Sequence, residues 1–261
     1  MTDEPSITVL VDALGLPRDA RVDIRVPKKL LMEEGAPTSA DKRAIQSGID
    51  ELHWLAACKP TTIGVPAFAD ELREYLEIAV IACAFRSDAK APRLIELIHR
   101  AIPYPVMLIT SDARGLSFSA AHKRHAENEA GKVVIERVVT VGGFRPDQLS
   151  ELEAAFLESL TLARQPRRDL FTLYEGWVAR IEAMNAARLI GTLVATDDQP
   201  AIERRRAALD EHARLARVAS QLRSQATRAK QMNQRVDLNQ RIKAIETAID
   251  RNKKLMLGDV A

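Results

Sequence analysis

From Pro200 to about Leu257 the chain reads as one continuous helix. At 1.5 Å per residue such a helix is roughly 80 Å long, more than a small domain can cover. Its apolar side chains must therefore meet something else. Leu215, Val218, Leu222, Ala229, Met232 and Val236 recur at intervals of three, four or seven, with Gln225 as a polar interruption, and this is the spacing of a coiled-coil seam. After Val236 the register changes. Leu238, Ile242, Ile245 and Ile249 form a second stripe, which at about 100° per residue lies nearly opposite the first. The shift predicts a kink, or a change of packing partner, near Asp237-Leu238-Asn239.

This segment is also where the positive charge gathers. The whole chain carries a formal charge of only +2, yet Glu203 to Lys254 holds 14 Lys/Arg against 6 Asp/Glu, a net of +8, so the remainder carries 2 − 8 = −6. Arg217, Arg228 and Arg235 flank the first seam on one side, and Arg223, Lys230 and Arg241 flank it on the other, with Lys243 following. Cationic flanks would repel a parallel copy of the same helix and attract an acidic helix or a phosphate backbone. Three readings follow from the residues: a solvated helix folded back on its own chain, a contact for DNA or RNA, or a contact for a helical protein partner. The acidic stretch Pro146 to Leu162 (Asp147, Glu151, Glu153, Glu158) is an internal candidate for that partner.

Residues 1–144 have a different texture and suggest a mixed α/β domain. Residues 7–14 suit a short helix. Lys28–Glu34 suits another, between Pro27 and Gly35, with Lys28 and Lys29 exposed at its start. Thr38, with Asp41 three residues on, resembles a capping box. Five strand-like runs follow, at 52–58, 77–85, 105–110, 116–122 and 132–141, with helical spacing between Pro92 and Ile102. The strand–helix–strand unit from Glu77 to Thr110 is expected to be parallel and the later strands antiparallel, giving a mixed five-stranded α/β or α+β sheet with packed helices. Gly142-Gly143 closes this region. Residues 145–198 read as a helical segment and 199–261 as the long basic, coiled-coil-like helix.

The chemistry-bearing motifs are sparse. Cys58 and Cys83 sit in apolar runs and read as buried thiols. His122 and His125, near Glu127 and Glu129, have no third ligand at a recognised metal spacing, and His53 and His99 lie beside apolar runs as structural histidines. GxxxxGK[ST], GxGxxG and GxSxG are all absent from the sequence, so no cofactor is expected. The loosest enzymatic alternative is a metal-dependent nuclease that uses Asp88-Ala89-Lys90, with Asp70 or Glu77 as the further ligand. Basic clusters at Arg21, Arg25, Lys28 and Lys29 and at Lys123-Arg124 could extend a nucleic-acid track. Aromatics make up only 4% of the chain, which argues against a base-stacking surface. The N-terminus has no signal-peptide pattern and no segment approaches the roughly 18 apolar residues of a membrane span, so a cytoplasmic location is expected.

Five stretches carry a resemblance: DALGLPRDARVDIRVPKKLL, IDELHWLAACKPTTIGVP, RLIELIHRAIPYPVMLIT, LSFSAAHKR and LYEGWVARIEAMNAARL. Together they resemble the bacterial domain-of-unknown-function family 4391. Members look to be encoded beside helicases and DNA methyltransferases in loci that resemble restriction or antiphage systems. The resemblance implies a non-enzymatic accessory subunit that docks on a helicase or methyltransferase, on DNA, or on both. It supplies no catalytic residues. A sequence-independent nucleic-acid-binding protein outside defence is the alternative.

Overall fold

A computed structural model of the chain describes residues 4–126 and 133–257. The chain divides into two compact units, Met1–Ile181 and Glu182–Ala261.

The first unit is built on a six-stranded sheet. Its strands are β1 (Arg21–Arg25), β2 (Ile49–Cys58), β5 (Ile78–Phe85), β6 (Val106–Asp112), β7 (Gly115–His125) and β8 (Val133–Phe144), in the spatial order β1-β2-β5-β6-β7-β8. Two short strands, β3 (Phe68–Ala69) and β4 (Glu74–Tyr75), form a separate hairpin. β5 and β6 run parallel and every other pair is antiparallel, as the strand–helix–strand unit predicted. The sheet therefore has six strands, not five. The strand missed in the sequence is β1, a short edge strand of mostly exposed residues, with Asp23 at φ 49° where the pairing to β2 slips. Its alternation is too brief and too charged to announce a strand.

β5 is buried along its full length, so apolar side chains must cover it on both faces. On one face Ala79, Ile81, Cys83 and Phe85 join a core with α2 (Lys28–Glu34), α3 (Ser39–Gly48) and α5 (Ala91–Ala101). α5 contributes Leu94, Ile95, Leu97, Ile98 and Ala101 at helical spacing. The Thr38 cap forms as expected, with Thr38 Oγ1 accepting the Asp41 N–H at 3.1 Å. Asp41 also ties α3 to α5 through Arg93 Nε at 2.8 Å, and this guanidinium, helped by the Thr38 hydroxyl, holds the carboxyl at about 2. The two layers meet closely at Gly35, where a Cβ would lie 2.7 Å from Ala101 Cβ and from the Leu97 carbonyl oxygen. Gly35→Ala is expected to cost about 1–3 kcal/mol of stability, read as a lower urea midpoint, because backbone cannot yield as a side-chain tip can.

The other face carries α1 (Glu4–Ala13), α6 (Glu151–Ser159) and the N-terminal part of α7 (Leu170–Ile190). The Tyr174 hydroxyl bridges two strands, donating to the Val106 carbonyl at 2.8 Å and accepting the Ala121 N–H at 2.8 Å. Phe118, Phe144 and Phe156 pack as an aromatic cluster, with the last two rings stacked at 5.3 Å. α6 is shorter than the Pro146–Leu162 span expected and opens on a capping box between Ser150 and Glu153. A four-residue helix, α4 (Pro60–Ile63), links β2 to the β3–β4 hairpin.

In the second unit, α8 (Gln199–Arg228) is capped by Asp198, whose carboxylate accepts the Ala201 N–H at 3.0 Å, and α9 (Met232–Leu257) runs back along it. The continuous rod of roughly 80 Å is thus two antiparallel helices of about 45 and 39 Å. The break falls at residues 229–231, eight residues before the point where the register shift suggested it. Leu215, Ala219 and Leu222 are buried on α8, while Leu238, Ile242, Ile245 and Ile249 are partly covered on α9. Arg223 closes an ion pair across the hairpin to Glu246 at 2.7 Å. At the other end of the hairpin Ala208 and Met256 share a small core with Ala186.

Candidate functional site

The two apolar stripes of the C-terminal segment have separate fates. The second stripe faces α8. The first ends on the outward side of α9, where Met232 is 74% and Val236 48% exposed. Around them Arg217, Arg223, Arg228, Lys230, Arg235, Arg241 and Lys243 are all exposed. Their availability differs. Arg223 is bound to Glu246, and Arg241 lies 3.9 Å from Asp237 one helical turn away. Arg217, Arg228, Lys230, Arg235 and Lys243 form no ion pair with any described residue. Beside the turn Gln225, Arg228 and Ala229 lie across a shallow open groove from Asn233, Gln234, Asp237 and Leu238, a lining that mixes amide and charged groups with apolar surface. The hairpin therefore presents cations and amides on its turn-proximal half, held by a seam that closes nearer its base.

The cations expected on the first unit do not extend this surface. Lys28 donates to the Ile49 carbonyl at 2.5 Å and so pins α2 to the start of β2. Lys29 faces Glu33 at 3.6 Å, Arg21 faces Asp12 at 3.3 Å and Arg25 faces Glu51 at 3.7 Å. Lys123 is buried and donates to the carbonyls of Ile102 and Tyr104 just past the end of α5, and burial draws its ammonium down to about 7.

The nuclease alternative loses its geometry. Asp88 and Lys90 are exposed in the turn after β5. Glu77 precedes the same strand, about 26 Å from its far end at roughly 3.3 Å per residue, and pairs with Lys59 at 3.1 Å. Asp70 accepts the backbone N–H groups of Leu72 and Arg73 and closes the β3–β4 turn. Among the described residues no three His, Cys, Asp or Glu side chains gather as metal ligands. The sequence pairing of His122 and His125 with Glu127 and Glu129 falls partly outside the described residues. Cys58 and Cys83 are free and buried, and burial pushes the Cys58 thiol up to about 12 and that of Cys83 higher still.

One polar cluster had no sequence signal. The Tyr75 hydroxyl meets His122 Nδ1 at 2.7 Å, and His122 Nε2 lies 2.5 Å from Glu175 Oε2, off the line an ideal hydrogen bond needs. The Phe171 ring stands over this group with Arg73 5.6 Å from its centroid, and Arg73 in turn binds Glu136 at 2.8 Å. Burial raises the Tyr75 phenol far above its ordinary value, so it serves as a hydrogen-bond donor and not as a phenolate nucleophile. The three residues come from β4, β7 and α7, with 47 residues between the first two and 53 between the last two, which is why no local motif reveals them. With Tyr75 fully covered and its neighbours nearly so, the cluster ties the β3–β4 hairpin to the sheet.

The fold is a mixed α/β unit followed by a helical hairpin, and the hairpin carries exposed cations without ion-pair partners among the described residues. The chain belongs to the family described as Domain of unknown function (DUF4391), which matches residues 14–249. No curated protein and no solved structure matches it. Among the described residues no helix is long and apolar enough to cross a membrane.

Proposed function

We propose that this chain is a non-enzymatic accessory subunit of a restriction-like or antiphage defence system. In this reading the α/β unit docks on a helicase or DNA methyltransferase subunit, and the C-terminal hairpin engages an anionic surface. The observation that carries it is the set of five cations without ion pairs among the described residues, Arg217, Arg228, Lys230, Arg235 and Lys243, in a stretch, His212 to Lys243, whose one acid is Asp237. Like charges gathered on one hairpin repel one another, and an anionic partner relieves that repulsion. Membership of the DUF4391 family supports the defence setting through the gene neighbourhood its members are expected to share. Affinity capture of the tagged chain from its host, with nuclease treatment, is expected to retain helicase or methyltransferase subunits. Recovery of the chain alone, at low salt and at native expression, would remove the subunit role.

A further inference from the structure

We infer that the anionic partner of the hairpin is the phosphodiester backbone of a nucleic-acid duplex, contacted without regard to sequence. This rests on the reading of the hairpin as an anion-binding element and names the anion.

From His212 to Val236 the sequence contains no carboxylate and six Lys/Arg. Over the last 17 residues of α8, the turn and the start of α9 the one carboxylate that ion pairs between described residues bring in across the hairpin is Glu246, and Arg223 neutralises it. On α8, Arg217, Gln221, Ser224 and Arg228 recur at intervals of four, three and four, which places them on one helix face, and all four are exposed. Guanidinium, amide and hydroxyl groups are the side chains that reach phosphate and sugar oxygens, and such contacts fix position without reading bases.

The same surface fits the alternatives poorly. The centre of a protein–protein interface is enriched in apolar and aromatic side chains and depleted in lysine and serine. Here the turn-proximal half offers only Met232 and Val236 as large exposed apolar side chains. A single strand is held by stacking its bases on aromatic rings. From Glu182 to Leu257 there is no Phe, Tyr or Trp. A duplex keeps its bases stacked internally and offers two rows of phosphates, so it needs only what the hairpin has. DNA and RNA duplexes share this chemistry.

The test uses the full chain and fluorescence anisotropy with four labelled probes: a DNA duplex of about 20 base pairs, the matching RNA duplex, one of the single strands, and poly-glutamate of similar charge. Contacts from Arg217, Arg228, Lys230, Arg235 and Lys243 give a log–log salt slope of about −4.5 on duplex DNA, hence about a 500-fold loss of affinity between roughly 50 and 200 mM salt. The combined variant Arg228→Glu, Lys230→Glu, Arg235→Glu and Lys243→Glu is expected to lose duplex binding with its helical circular dichroism unchanged. The four alanine replacements, which add no repulsion within the hairpin, serve if that variant misfolds and are expected to flatten the slope to about −0.9, the share of Arg217. Binding of either duplex above both other probes supports the inference, and the DNA-to-RNA ratio identifies the natural form. Poly-glutamate bound as well as duplex, or a single strand bound better, overturns the inference and leaves the anion-binding reading in place. No binding to any probe, or an unchanged slope in the variants, overturns both.

Discussion

Between pH 7 and pH 4 the protein is expected to lose about 3 kcal/mol of stability through His99 alone. His99 on α5 is fully buried, its Nε2 lies 3.1 Å from Ser119 Oγ, and its Nδ1 has no hydrogen-bond partner. Burial, aided by the charge of the neighbouring Lys123, pulls its imidazole down to about 3 from an ordinary 6.5. Below pH 6.5 the unfolded chain binds a proton that the folded chain refuses. The contribution is thus fully present above pH 6.5, and stability falls by about 1.4 kcal/mol per pH unit until the folded value is reached. Carboxylates such as Asp41 also titrate toward acid, so the measurement is a difference. His99→Gln keeps an amide near Ser119 and cannot be protonated. Urea unfolding of both proteins from pH 7 to pH 4 should show the wild type losing about 3 kcal/mol more than the variant. Parallel stability curves would mean that the imidazole reaches solvent or a carboxylate in the fold.

Trp177→Ala is expected to remove about 3–5 kcal/mol, the largest single loss in the first unit. Trp177 is the largest fully buried side chain among the described residues, and its indole Nε1 donates to the Leu160 carbonyl at 2.8 Å, just after α6 ends. Truncation leaves a cavity and an unpaired carbonyl at once. Trp177→Phe separates the two effects. It retains most of the ring volume and loses the donor, so it should cost about 1–3 kcal/mol. Equal losses for the two variants would show that the hydrogen bond, and not the filled volume, sets the contribution. With total stability on the order of 5–15 kcal/mol, the alanine variant is expected to express poorly at growth temperature.

Much of the first unit was legible in the sequence because its signals are local. β5 is an eight-residue apolar run, α5 has strong helical spacing between prolines, and Thr38 carries its own cap. The helix at Lys28–Glu34 sits where Pro27 and Gly35 place it. β1 was illegible because an edge strand buries little and so has no apolar pattern to show. Lys28 and Lys123 looked like surface cations because their partners are backbone carbonyls 19 to 21 residues away, which composition cannot reveal. The Tyr75, His122 and Glu175 group failed for the same reason, since three strand and helix positions converge only after the sheet forms.

The C-terminal hairpin draws the line most clearly. The sequence by itself determined that residues 200–257 are helical, cationic and carry two apolar stripes on opposite sides, because propensity, charge and periodicity are properties of neighbours along the chain. Only the tertiary structure decided that the helix turns at residues 229–231. Ala229-Lys230-Gln231 contains no proline or glycine, and every residue there favours helix. The chain gives up a few helical hydrogen bonds at that point because folding back lets Leu238, Ile242, Ile245 and Ile249 cover Leu215, Ala219 and Leu222. Burial between segments sixteen or more residues apart outweighs local preference, and the turn it creates leaves Met232, Val236 and the unpaired cations facing outward.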